Sequence, residues 1–370
     1  MVPVARGLAE QNTEHAAQPG YPPKQDNLHV HTLSFGFSQS EIIRYHGYPS
    51  EEYEVTTEDG YILSVYRIPA GRNSQSTGKK PAILLHHGTL GDSIHWISNL
   101  PNNSLGFILA DAGYDVWLGN SRGNTWSLKH KTLKPCQKEF WQFSFDEIGK
   151  YDVRGELYFI MNKTGQKDVY FVGHSEAATA GFVAFSTYPE LAQRVKVFFA
   201  LGPVVTTTYG TSPLNILLKW GLTQKHYVAQ VPHSFILSQR WITAFITLLL
   251  SLQSRTDVYV GHYPAGTSVQ NNPFFKHNFC YNSIHPRLLP FLQPAPPVYK
   301  VEEISTPIAV WSGGRDKFAD PKDTAKLLPR IKNLIYHEHF PSWGHLSFIW
   351  SLDAPQKMYR KIIELLAKYP

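Results

Sequence analysis

Asp168-Val169-Tyr170-Phe171-Val172-Gly173-His174-Ser175-Glu176-Ala177-Ala178 is the stretch whose reading decides the fold. Its first half is an unbroken apolar run, too short for a helix and rich in β-branched and aromatic residues, as in a strand buried on both faces. Its second half is a Gly-x-Ser turn leading into small residues, with a helix expected from near Ala178. Strand, sharp turn and helix in that order lift a serine Oγ clear of the backbone at the carboxyl edge of a sheet. Ala177 stands where such an elbow usually has a second glycine. A methyl there costs on the order of 1 kcal/mol if the backbone is helical, and more if positive φ is required. The plain alternative is a serine that only caps a helix.

Working outward, runs of the same kind recur at Ala82-Ile83-Leu84-Leu85, ending in His87-Gly88, and at Asp115 to Leu118, Val195 to Leu201, Ile308 to Trp311 and Leu334 to Tyr336. Before them, Tyr53 to Ile68 reads as a hairpin: Tyr53, Val55, Tyr61, Leu63 and Val65 alternate around the turn signal Asp59-Gly60. Helical stretches lie between the later runs. The last of these has Asp353 as its expected N-cap, Pro355 in its first turn, and Met358, Ile362, Leu365, Leu366 and Tyr369 on one apolar face. Short strands alternating with helices specify an α/β fold with a mainly parallel, doubly wound sheet.

From Val205 to about Pro297 strand-like runs give way to apolar helical pieces, prolines and aromatics, the pattern of an inserted helical cap. The expected organisation is a flexible N-terminal segment over 1–36, a core over 37–205, the cap over 206–297 and the rest of the core over 298–370. Trp241 to Leu252 is the longest apolar stretch; at about 12 residues, or roughly 18 Å of helix, it cannot span a bilayer. It reads as the cap's own core helix, with lipid contact the sharper alternative. No transmembrane segment is expected. Residues 1–30 contain no apolar run of about 7–15 residues, so no signal peptide is read there.

The 35 basic and 29 acidic residues give a net charge of +6, spread without a basic run longer than Lys79-Lys80. Nucleic acid is not implied. Cys136 and Cys280 are open to two readings, one disulfide or two free thiols. With no His-Glu-x-x-His, no Cys-x-x-Cys and no phosphate-cradling glycine loop, neither a metal nor a cofactor is expected.

A serine on such an elbow needs a base, an acid to orient that base, and two N–H groups for the oxyanion. In this fold the acid and base follow the serine in the chain, each on a loop after a strand. Asp316 comes after Ile308 to Trp311 through Ser312-Gly313-Gly314, and His345 comes after Leu334 to Tyr336. Asp320 is the rival acid, with a less direct reach. Seventeen histidines make any one of them weak evidence; position selects His345, while His337 and His339 read as exposed strand-end residues. The N–H groups of Glu176 and Thr89 are the oxyanion candidates, although the carboxylate of Glu176 would oppose a developing negative charge unless it points away or is protonated.

Gly47-Tyr48-Pro49-Ser50-Glu51-Glu52-Tyr53, Gly119-Asn120-Ser121-Arg122-Gly123-Asn124-Thr125-Trp126-Ser127 and Pro264-Ala265-Gly266-Thr267-Ser268-Val269-Gln270-Asn271 carry a resemblance to the animal acid lipase family. Asp353-Ala354-Pro355 adds to it, and the likeness covers about residues 37–210 and 255–370. The resemblance implies an α/β-hydrolase fold with Ser175, Asp316 and His345 as its triad and Thr89 and Glu176 as oxyanion donors. It also implies hydrolysis of triacylglycerols or cholesteryl esters at a lipid–water interface, a lid, and a secreted or lysosomal setting. In that setting Asn102 and Asn162 head glycosylation sequons. The chain departs from the family pattern at Glu176 and Ala177, usually Gln and Gly, at Thr89, usually Leu, and at Ser347, usually Asp. An acid-lipase-like protein that binds lipid with impaired catalysis is therefore the competing expectation.

Overall fold

The computed structural model describes residues 38–74, 78–206, 208–211, 263, 265–268 and 298–370. Residues 1–36, Trp241 to Leu252, Cys280 and nearly all of the expected cap lie outside the described residues. Cys136 is an exposed free thiol.

The hairpin is formed by β1 (Glu51–Thr56) and β2 (Tyr61–Ile68), paired antiparallel with Val55 opposite Leu63. The later strands are β3 (Ala82–His86), β4 (Asp115–Gly119), the two-residue β5 (Lys129–His130), β6 (Val169–His174), β7 (Val195–Leu201), β8 (Ile308–Gly313) and β9 (Leu334–Phe340). They order the sheet as β1-β2-β4-β3-β6-β7-β8-β9, with β5 pairing to β2. From β4 to β9 every neighbouring pair is parallel. Between β3 and β6 the chain reverses its direction of growth across the sheet, and α/β sheets gather ligands at the carboxyl ends of strands beside such a switch.

Alternating residues of the central strands feed two separate cores. On one face Ile83, Leu85, Tyr170, Val172 and Phe199 pack with residues of α1 (Gln39–Tyr45), α2 (Leu105–Asp111) and the C-terminal helix. On the other, Leu84, Phe171, Phe198 and Val310 pack with α3 (Arg154–Thr164), α4 (Glu176–Thr187) and α5 (Pro321–Leu327). The sheet is thus covered on both sides, which is why its central strands are continuous apolar runs rather than alternating ones.

Three expectations shift. The helix after the elbow starts at Glu176 rather than near Ala178. At the C-terminus the Asp353 carbonyl accepts from Lys357 N–H at 3.0 Å, but its carboxylate binds Ser351 Oγ and Lys357 Nζ instead of capping the first turn. That turn is a π-turn at Pro355–Tyr359, which then tightens into α6 (Arg360–Lys368). His337 and His339 are exposed as expected, yet they sit within β9, and both face Ser312 Oγ, at 3.0 and 2.9 Å.

Candidate active site

Ser175 sits between β6 and α4 with φ 59° and ψ −116°, a conformation that costs a non-glycine residue of order 1–3 kcal/mol. Neighbouring backbone enforces it: Ser175 N–H donates to Leu201 O at 2.9 Å, tying the turn to the end of β7. A close approach from each side depends on glycine. A Cβ on Gly173 would lie 2.7 Å from Ala177 C and Ala178 N, and one on Gly88 would lie 2.9 Å from Ser175 Cβ. Ala177 is buried inside the helix and is not among the described residues with positive φ, so the methyl meets the milder of the two expected costs.

Asp316 lies on the loop after β8 and His345 on the loop after β9. His345 Nε2 is 2.7 Å from Ser175 Oγ, and His345 Nδ1 is 2.8 Å from Asp316 Oδ2. The second carboxylate oxygen, Oδ1, accepts from the N–H groups of Phe318 and Ala319 at 2.9 and 2.8 Å. Burial pushes the Asp316 carboxyl up, but the His345 imidazole and those two N–H groups outweigh it and hold the pKa below the usual carboxylate range. The acid is thereby fixed in its charged form and facing one imidazole nitrogen. Asp320 is engaged elsewhere: it caps α5 by accepting from Lys322 N–H at 2.8 Å.

Thr89 is half-buried on the loop after β3, between Gly88, which packs on Ser175, and Leu90, whose φ is 62°. Glu176 is a buried first residue of α4, where backbone N–H groups have no intrahelical acceptor. The two donor candidates therefore lie on two elements that meet at Ser175, through Gly88 on one side and α4 on the other.

Several residues that pattern reading passed over shape the surroundings. Burial and the nearby His86 push the pKa of His87 down to about 3, so its ring is neutral. It donates from Nδ1 to Gly88 O at 2.8 Å and accepts at Nε2 from Ser121 N–H at 3.1 Å, clamping the loop after β3 to the loop after β4. Arg122 is buried under Tyr61, 4.0 Å from the ring centroid, and pairs with Asp59 at 2.5 Å and Asp152 at 2.7 Å. An arginine in the Gly119 to Ser127 stretch carries no periodic signal. Only its partners Asp59 and Asp152, 63 and 30 residues away, reveal the role.

Comparison with known proteins adds the family context. A family described as "Partial alpha/beta-hydrolase lipase region" matches residues 39–100, and one described as "alpha/beta hydrolase fold" matches residues 81–352. Lysosomal acid lipase/cholesteryl ester hydrolase of Homo sapiens is 49% identical over 366 residues, covering 89% of this chain and 90% of that protein. Gastric triacylglycerol lipase of Homo sapiens is 45% identical over 375 residues, covering 92% of this chain and 94% of that one. Among solved structures, naproxen esterase (carboxylesterase NP) of Bacillus subtilis matches with a TM-score of 0.54 at 14% identity, covering 93% of this chain and 100% of that chain, a likeness of fold alone.

Proposed function

The chain belongs to the animal acid lipase family of α/β-hydrolases, which are serine ester hydrolases, and from that premise we propose that it cleaves fatty acyl esters of glycerol or sterols through Ser175, His345 and Asp316. The observation that carries the assignment is the hydrogen-bonded series Ser175 Oγ, His345 Nε2, His345 Nδ1 and Asp316 Oδ2, with contacts of 2.7 and 2.8 Å, at the carboxyl edge of the parallel sheet.

Ser175 Oγ attacks the acyl carbon while His345 Nε2 takes its proton; the carbonyl oxygen becomes an oxyanion facing the N–H groups of Glu176 and Thr89. Collapse of the tetrahedral species breaks the ester C–O bond, and His345 returns the proton to the departing alcohol. Water, deprotonated by His345, then attacks the acyl-enzyme and releases the fatty acid, leaving Ser175 protonated again. Asp316 holds the imidazole orientation and opposes the imidazolium charge in both halves. The stretch 206–297 is assigned as a cap over this site. Its support is the contact of the 265–268 segment with the site loops: Ala265 N–H donates to Leu90 O at 2.7 Å, and Thr125 N–H donates to Ala265 O at 2.7 Å. A lipid–water interface as the place of action, and a secreted or lysosomal setting, follow from the same family premise.

A serine-reactive phosphonate tests the assignment. It should label the native protein and spare Ser175→Ala, and that variant should lose at least about 1,000-fold in kcat on an emulsified triacylglycerol. No labelling at any pH between about 4 and 8, the span in which an ordinary histidine loses its proton, sinks the assignment. Lipid binding without fatty acid release would instead favour the catalytically impaired member.

A further inference from the structure

We propose that Tyr263, His95 and His174 form a one-directional hydrogen-bond relay that fixes the main chain at His345 and so positions its imidazole against Ser175. The proposal rests on the triad assignment above and adds to it three positioning residues, one of them from the inserted segment.

The direction is set at the far end. His174 Nε2 lies 2.9 Å from the main-chain oxygen of His345. A carbonyl only accepts, so Nε2 carries the proton and donates. In a neutral ring Nδ1 is then an acceptor, and it lies 3.0 Å from His95 Nε2, which must therefore be the donor. That leaves His95 Nδ1 as an acceptor, and the Tyr263 hydroxyl is hydrogen-bonded to it. One carbonyl thus dictates both tautomers and the orientation of the tyrosine O–H. Both histidine rings are buried, and burial with the neighbouring histidines holds both imidazoles in the neutral form that the relay needs, His174 at about 3.

The surroundings leave the relay little freedom. His174 is the last residue of β6 and adjoins Ser175, so it cannot shift without moving the elbow. Its ring lies against that of His345 with centroids 4.8 Å apart, and against that of His95 at the same 4.8 Å. Gly91 makes room for the tyrosine: a Cβ there would be 2.7 Å from the hydroxyl. On its other side Tyr263 meets Trp350 edge-on at 5.5 Å, on the short helix Ser347–Trp350 that follows His345. The inserted segment therefore grips the histidine loop through the relay and through Trp350, while Ala265 holds the loop that carries Thr89.

The test compares Tyr263→Phe, His174→Gln, His174→Leu and the double variant Tyr263→Phe/His174→Leu in the full chain. Hydrolysis of p-nitrophenyl butyrate, a soluble ester, gives kcat and KM separately, and phosphonate titration counts competent Ser175. Tyr263→Phe should lower kcat about tenfold with KM unchanged, as expected when a reacting group loses its alignment. His174→Gln, which keeps an N–H for the His345 carbonyl, should retain more activity than His174→Leu, which has none. The double variant should be no slower than His174→Leu, because members of one relay are not additive. A kcat for Tyr263→Phe within twofold of the native value, equal losses in Gln and Leu at 174, or additive losses in the double variant would each overturn the relay. If the native protein is neither labelled nor active, the triad assignment itself fails, a separate result.

Discussion

At position 177 the methyl lies inside a helix with ordinary backbone angles, whereas at position 173 it would strike the backbone of that same helix 2.7 Å away. The two small residues of the elbow are therefore not equivalent. Ala177→Gly restores the common motif but introduces a glycine into a helix, so it should destabilise by about 1 kcal/mol and leave kcat unchanged. Gly173→Ala should cost about 1–3 kcal/mol through overpacking and displace Ser175 as well. Thermal melting with kcat on a soluble ester separates the two; a gain in kcat from Ala177→Gly would show that the elbow is strained as it stands. Glu176 raises a different issue, because its N–H is an assigned oxyanion donor and its side chain, when ionised, is a negative charge on the same residue. The helix N-terminus tolerates that charge in the resting protein, but a developing oxyanion adds a second one nearby. Glu176→Gln is expected to raise kcat, by up to about tenfold. An unchanged kcat would mean that the carboxyl is protonated or held away from the oxyanion, and a fall that it supports the site.

Between β3 and α3 lies an ion pair buried from solvent on both sides, His86 Nε2 to Glu156 Oε2 at 3.3 Å, with Gly119 making room for it. The groups facing His86 are Glu156, Asp152 and the neighbouring His87. Burial pushes the His86 pKa down, but the negative charge of Glu156 outweighs it and the pKa is raised. A histidine with a raised folded-state pKa contributes stability that is complete below its unfolded value of 6.5 and disappears as pH climbs through the folded value. The native protein should therefore exceed Glu156→Gln in stability by several kcal/mol near pH 5, roughly the cost of breaking a buried pair, and by less near pH 8. Urea unfolding at the two pH values decides it, and an advantage independent of pH would count against a charged His86. This pair was invisible to pattern reading, for a physical reason. β3, β6, β7 and β8 are legible because burial on both faces demands apolar runs, and Ser175 and Asp316 could be placed after β6 and β8, with His345 after the partly exposed β9. By contrast, the two polar residues of β5 carry no periodicity, and His95 meets partners 79 and 168 residues away. Such contacts depend on packing between elements that local sequence does not encode. The boundary of α4 was placed late for a related reason: Glu176 and Ala177 are helical, but nothing in their polarity says so.

Among the described residues, the fully buried titratable groups pull in two directions, and together they shape the pH dependence of stability. His87 and His174, each with a pKa near 3, and His95, well below 6.5, are neutral when folded. On unfolding below pH 6.5 each takes up a proton, so each lowers stability as pH falls. Asp152 acts the other way: burial, only partly offset by Arg122, raises it from 3.8 to about 6, so the folded state holds an extra proton between those values. His86 also acts the other way, but only above 6.5. Above pH 6.5 stability should rise as pH falls, through His86; below 6, three protons taken up by the unfolded chain against one held by Asp152 leave a net of two, a loss of roughly 2–3 kcal/mol per pH unit. The maximum is expected near 6.5, because between 6 and 6.5 the three histidines already draw protons onto the unfolded chain while Asp152 does not yet offset them. Urea unfolding free energies measured from about pH 4.5 to 8.5 test this directly. A curve that stays flat or rises on the acid side would mean that His95 and His174 accept protons in the folded state, and the relay to His345 could not then keep the tautomers its direction requires.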